Sequence, residues 1–244
     1  MQSISVAIVV WDDVVAGADV EAGTEALQTQ LDAHFADEWH VSAHLCVLGP
    51  TDRRELAWGL IVGERAKVIE RGYRDLTVSG MPLAIVEPVP GQDWTLPASR
   101  QLLQMLANPY ADLAACDSGP PDTRLLVPIQ VCAPVAGAED AYPVHVRGGK
   151  EWLVANFVFP TWFRRGPQPA PFDHLGHTGG PLELGQHGGH AFVLDLAANA
   201  WKVRSRAPGQ PEAPPVPLDP AGPFTLDAVR LVPTQDPSRV HLPP

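Results

Sequence analysis

Apolar positions along the chain change period several times, and each change predicts an element. "SISVAIVVW" (residues 3–11) is a continuous apolar, β-branched run and predicts a buried strand. In "DVEAGTEALQTQLDAHFADEW" (residues 19–39), Val20, Ala26, Leu27, Leu31 and Phe35 recur at helical spacing, with acids early, which predicts an amphipathic helix. "HVSAHLCVLG" (residues 40–49) alternates Val41, Ala43, Leu45 and Val47 as a strand does, and "ELAWGLIVGE" (residues 55–64) predicts another. "RGYRDLT" (residues 71–77) reads as a turn. "GMPLAIVEP" (residues 80–88) reads as a short strand whose flanking Pro82 and Pro88 favour an edge position.

The next segment, "WTLPASRQLLQMLANPYADL" (residues 94–113), predicts a helix that stops at Asn108-Pro109, because a residue before proline is pushed out of helical geometry. Pro97 falls in the first turn, where proline is tolerated, and Trp94 or Thr95 sits at the N-cap. At about 100° per residue, Arg100, Gln101, Gln104 and Asn108 share about a quarter of the circle, and Leu102, Leu103, Met105 and Leu106 take the other side. Beyond Pro109 the pattern becomes strand-like, in "TRLLVPIQVCAPV" (residues 123–135), "EWLVANFVFPTWF" (residues 151–163) and "HAFVLDLAANAWKVRSR" (residues 190–206), separated by Gly- and Pro-rich turns. "APGQPEAPPVPLDPAGPF" (residues 207–224) predicts a solvated, polyproline-like connector. The expected organisation is an α/β (α+β) fold: a mixed-sheet half over residues 1–113, a β-rich half over residues 114–206, and a proline-rich segment over residues 207–244.

Composition narrows what such a chain does. A net charge of -11 argues against a phosphate-backbone partner, and no basic amphipathic helix points to a lipid surface. No run reaches the roughly 20 apolar residues of a membrane span, and the start lacks the basic region of a signal peptide. Cys46, Cys116 and Cys132 are odd in number and lack metal-ligand spacing, so a reducing cytoplasm is expected.

The helix within residues 94–113 carries the most informative chemistry. Positions 100 and 104 are one turn apart, the spacing with which zinc hydrolases of the H-E-x-x-H type present two ligands, the general base following the first. Those three places hold Arg100, Gln101 and Gln104. Arginine does not ligate a cation, and glutamine lacks the charge of a carboxylate ligand or base. Read by residue type alone, this is a polar face.

The surrounding motifs add to that reading. "GYRDLT" (residues 72–77), "GMPLAIVEP", "DWTLPASRQLLQMLANPY" (residues 93–110), "IQVCAPV" (residues 129–135) and "VANFVFPTWF" (residues 154–163) occur in that order. The set resembles uncharacterised bacterial zincin-like proteins of the H-E-x-x-E metallopeptidase type. Their pattern runs G-Y-H-D-L-T, W-T-x-x-S-H-E-x-L-E-M-L-x-D-P, E-V-C-D-P and S-[DN]-F-x-x-P-x-[WY]-F. The segment at residues 26–45, "FDHLG" (residues 172–176) and "GGHAFVLD" (residues 188–195) also fit. Against that pattern Arg100, Gln101, Gln104, Asn108, Gln130 and Ala133 replace His, Glu, Glu, Asp, Glu and Asp, and Arg74 replaces the His of G-Y-H-D. Four of these replacements are near-isosteric amides, which can hydrogen-bond one another where unneutralised carboxylates would repel.

The resemblance therefore implies a metallopeptidase-like chain without catalytic residues, metal or cofactor. Its role would be binding or scaffolding, with a peptide held between the strand Leu83, Ala84, Ile85, Val86 and the helix by strand addition. Two alternatives stand beside it. His174, His177, His187 and His190 lie within "FDHLGHTGGPLELGQHGGH" (residues 172–190) and would ligate zinc in a divergent hydrolase. A structural subunit of an assembly is the other. Asp12-Asp13 after the first strand is a weaker cation candidate. No nucleophile elbow and no dinucleotide-binding glycine motif is present.

Overall fold

The computed structural model describes residues 4–11, 14–49, 57–63, 73–77, 79–117, 120 and 123–218. The cation candidate Asp12-Asp13 lies outside them. In chain order the elements are β1 (Ile4–Val10), α1 (Gly17–Gln30), a π-helical turn (Leu31–Phe35), α2 (Ala36–Trp39), β2 (Ala43–Leu48), β3 (Trp58–Val62), β4 (Tyr73–Leu76), β5 (Pro82–Val86) and α3 (Thr95–Ala107). Then follow β6 (Ala114–Cys116), β7 (Leu125–Pro128), β8 (Ala141–His145), β9 (Glu151–Ala155), β10 (Gly189–Asp195), β11 (Ala200–Arg206) and β12 (Val216–Pro217). The fold is α/β, with a mixed sheet first and a β-rich second half.

The chain forms two compact units. The first holds residues 1–110 and 142–155 among those described, and the second holds residues 111–141 and 156–218. The division expected from sequence, with residues 114–206 as one block, thus needs correction. The β8–β9 hairpin returns to the first unit, because the alternate buried positions Trp152 and Val154 need an apolar surface and find it on α3 and α1.

In the first unit five strands are ordered β2-β1-β3-β5-β4, all parallel except β4. β1 is buried over Val6–Val9 without alternation, as a strand covered on both faces must be. The free edge of β2 is covered locally by the Gln28 amide. Its Nε2 donates to Ala43 O at 2.9 Å and its Oε1 accepts from Leu45 N at 2.8 Å, as a neighbouring strand would.

Two expectations change here. Residues 73–76 form the strand β4 rather than a turn. β5 is an interior strand, paired with β3 through Gly59↔Leu83 to Val62↔Val86 and with β4 through Tyr73↔Ile85 to Leu76↔Pro82. The groove-edge assignment of Leu83, Ala84, Ile85 and Val86 is therefore wrong, and all four are buried. The prolines misled. Pro82 opens the strand and Pro88 lies past its end, and a first-position proline is compatible with an inner strand. The unbroken apolar run was the stronger signal. The β4–β5 turn is built on Thr77, whose N–H bonds Met81 O at 2.7 Å and whose Oγ1 accepts from Met81 N at 3.0 Å, with Gly80 at φ +79°.

In the second unit the sheet order is β12-β11-β10-β7-β6, antiparallel throughout. The run at residues 190–206 is a hairpin rather than one strand, turning at residues 196–199. The run at residues 123–135 is a strand only to Pro128 and ends in a 3-10 turn, Ala133–Val135. The proline-rich segment is not a free connector up to residue 218. Ala213 N bonds Ser205 O at 2.9 Å, Leu218 N bonds Trp201 O at 2.9 Å, and Glu212 takes a bidentate pair from Arg204 at 2.6 and 2.8 Å. Residues 219–244 lie outside the described set.

Candidate functional site

α3 is seated by polar side chains at its start that complete the backbone of β9. Asp93 Oδ2 accepts from Leu153 N at 3.0 Å, Thr95 Oγ1 donates to Leu153 O at 2.7 Å, and Ser99 Oγ accepts from Ala155 N at 2.8 Å. Each such bond is worth about 1 kcal/mol net, and together they fix the rotation of the helix. Trp94 closes on α1 at Gly23, where any Cβ would meet the indole ring. Leu102, Leu103 and Met105 are fully buried and Leu106 nearly so, as the helical periodicity predicts.

The opposite face is not a solvated stripe. Arg100 and Gln101 are half-buried, whereas Gln104 is 9% exposed and Asn108 only 2%. Asn108 has left helical geometry, at φ −147° and ψ 74°, while its N–H still bonds Gln104 O at 3.0 Å. An amide placed this deep costs free energy unless it is hydrogen-bonded, so its retention needs a reason that a surface glutamine does not. The residues fit a metal poorly: a fixed cation stands at position 100 and uncharged amides at positions 101 and 104. Gln130 and Ala133 belong to the second unit. Gln130 is half-buried just past β7, and Ala133 opens the 3-10 turn.

The four histidines do not converge. His174 stacks on Phe157 with ring centroids 5.4 Å apart, and His190 packs edge-on to Phe192 at 5.8 Å. His177 and His187 do meet, edge to face at 4.6 Å. Their Nδ1 atoms are taken by Asp140 Oδ1 at 2.7 Å and Glu139 Oε2 at 2.8 Å. Among the described residues no three His, Cys, Asp or Glu are placed to hold a metal. The zinc site expected from His174, His177, His187 and His190 is thus not formed, because the loop spreads its histidines over separate aromatic and acidic partners.

What organises that loop is the aspartate of "FDHLG", to which the sequence pattern assigned no role. Asp173 is fully buried and accepts from Asn156 Nδ2 at 2.7 Å, Leu175 N at 3.1 Å, His177 N at 3.1 Å, and Thr178 N and Oγ1 both at 2.7 Å. Asp140 is a second buried acid and also receives Gly137 N at 3.0 Å. The acidic pair in "GAEDAY" (residues 137–142) is the available signal for it.

A third polar group, in the first unit, gave no sequence signal. Gln30 is fully buried, and its Nε2 lies 2.8 Å from Ala155 O and 3.0 Å from the Tyr142 hydroxyl, which also meets His34 Nδ1 at 3.0 Å. Burial holds His34 below the usual histidine range. His34 lies in the π-helical turn, a distortion that often accompanies placed polar groups.

Compared with protein-family models, with curated proteins and with solved structures, the chain matches none. Among the described residues no helix is long and apolar enough to cross a membrane.

Proposed function

We propose that the chain is a metallopeptidase-like protein without hydrolytic activity that works by binding or scaffolding, in a reducing compartment suited to its three free cysteines. The observation that carries the proposal is the state of α3. Arg100, Gln101 and Gln104 stand where an H-E-x-x-E helix has its ligands and base, and the amides of Gln104 and Asn108 are kept although buried. A face that once held carboxylates and was neutralised accounts for amides buried on one stripe, since an amide keeps the shape and removes the charge.

The partner best suited to such a protein is a peptide or protein segment. Among the described residues β4 is the outer strand beside β5 and α3 reaches it, so strand addition would use Tyr73–Leu76.

Restoring the site tests the reading. Arg100→His, Gln101→Glu and Gln104→Glu together, with Asn108→Asp to complete the ligand set, should return zinc binding. Melting with and without zinc should show no shift for the parent and a rise of several degrees for the variant, because a ligand selective for the folded state stabilises it. Equal shifts in both proteins would overturn the proposal. So would a shift lost only on replacing His174, His177, His187 and His190.

A further inference from the structure

A cavity of about 720 Å³ lies in the second unit, on one face of the β10–β11 hairpin beside β12. Side chains alternate between the two faces of a strand, and the alternation shows which of them face the cavity. Val203 and Ser205 of β11 line it, whereas Lys202 and Arg204 line a separate cleft. The register carries the same face to both neighbouring strands. Ser205 pairs with His190 of β10 and Val203 with Val216 of β12, and both partners line the cavity too. Pro208 and Leu218 extend the apolar wall. Another part of the wall is backbone: Gly137 and Gly189 approach His187 O and Pro134 O so closely that neither position has room for a Cβ. None of Arg100, Gln101, Gln104 and Asn108 lines the cavity, so it is independent of the function proposed from α3.

The interior is uncharged, in a chain whose net charge is -11. No Asp, Glu or Lys lines it. Arg206 touches it from the end of β11, but by the alternation its side chain leaves on the face of Lys202 and Arg204. Its guanidinium is bonded there to Gln210 O at 2.8 Å and Leu184 O at 3.0 Å, and neither of those residues lines the cavity. Glu139, which pairs with His187, also stands outside the lining. An ionic ligand would lose hydration here and meet no opposite charge.

What the cavity offers is open apolar surface and a few polar groups. Val216 is 59% exposed, a large apolar side chain left open to water. Ser205 is exposed and His190 half-buried, so both are within reach of a ligand. Directly paired residues hold their Cβ atoms about 4.5–5.5 Å apart, which sets the hydroxyl beside the imidazole. A volume between roughly 300 and 1,000 Å³, with mostly apolar walls and a few placed polar groups, is the usual form of a small-molecule site.

We propose that this cavity binds an uncharged, largely apolar small molecule that carries a hydroxyl group. Its body lies against Val203, Val216, Pro208 and Leu218, and its hydroxyl meets Ser205 and His190. A hydroxyl both donates and accepts, as does the serine beside the imidazole, and it brings no charge to desolvate.

The test uses the full chain with 13C-methyl-labelled valine, in a buffer above the usual titration range of histidine. The probes are n-hexanol, n-octanol, octanoate and octylammonium, each titrated over the same concentrations. n-Octanol should move the Val203 and Val216 methyl signals to saturation. Its affinity should exceed that of n-hexanol by roughly tenfold, because each buried methylene contributes about fourfold. Octanoate and octylammonium should bind about tenfold more weakly than n-octanol or worse. Val216→Asp places a charge in the cavity at an exposed position and should abolish n-octanol binding with circular dichroism unchanged. Ser205→Trp, at a second exposed position, should do the same by filling the space. The proposal is overturned if either ion binds as tightly as n-octanol, if no probe moves the two signals, or if either variant folds and keeps the parent affinity. It is also overturned if the signals move with protein concentration alone, which would assign the face to a second copy of the chain.

Discussion

The polar face of α3 and the glycine- and histidine-rich loop of the second unit solve the same problem in opposite ways. Both place polar side chains in a dry environment. The loop is irregular, so its backbone donors need partners, and a buried carboxylate, Asp173, gathers three of them together with two side-chain donors. The helix satisfies its own backbone, and its polar face carries uncharged amides and a single arginine at residues 100–108. A buried acid is kept where it organises structure. On the helix, where a buried acid would have needed a cation, amides stand instead.

The largest effect is expected at Asp173. Asp173→Ala strips one acceptor from five donors and should cost about 3–5 kcal/mol, read from urea unfolding. It should also release His177, whose N–H and, through Asp140, Nδ1 are held in the same network. A loss below about 1 kcal/mol would mean that the loop does not depend on this acid.

Gly23→Val drives a branched side chain into the Trp94 ring and should cost about 1–3 kcal/mol in the same measurement. Because Trp94 is the N-cap of α3, the same substitution should also move the indole N–H resonance of Trp94 in a 15N-labelled sample, which Asp173→Ala should leave alone.

On the helix face the contrast is between a buried amide and a half-buried one. Gln104→Leu orphans the groups that Gln104 bonds and should cost about 1–2 kcal/mol, whereas Gln101→Ala should stay within about 0.5 kcal/mol. A stabilising Gln104→Leu would make the face an ordinary stripe and remove the reason for calling it a neutralised site.

The smallest effect concerns pH. His34 is held below the ordinary value of 6.5 by burial. The unfolded chain then takes up a proton that the folded chain refuses, so stability falls as pH drops below about 6.5 and the fall ends below the folded value. His34→Gln should lessen the drop in urea midpoint between about pH 7.5 and pH 5.5. An identical drop in parent and variant would assign the pH dependence to other groups.

The amino-acid sequence by itself determined what depends on neighbours a few residues away. The buried run of β1, the helical stripe of α1, and the start, stop and two faces of α3 follow from periodicity and from proline's missing donor and fixed backbone. The grouping of Arg100, Gln101 and Gln104 on one helix face is likewise legible without coordinates, because it is a matter of residue type and helical spacing. What only the tertiary structure decided is what depends on partners far along the chain. β5 became interior because residues 73–76 came to pair with it, and no local signal states which strand lies next to which. The β8–β9 hairpin joined the first unit because its alternate apolar positions found α3 and α1. Only His177 and His187 met; the four histidines did not gather into one site because Asp140, Glu139, Phe157 and Phe192 each claimed one, and such competition between side chains is set only when the fold brings the claimants within reach.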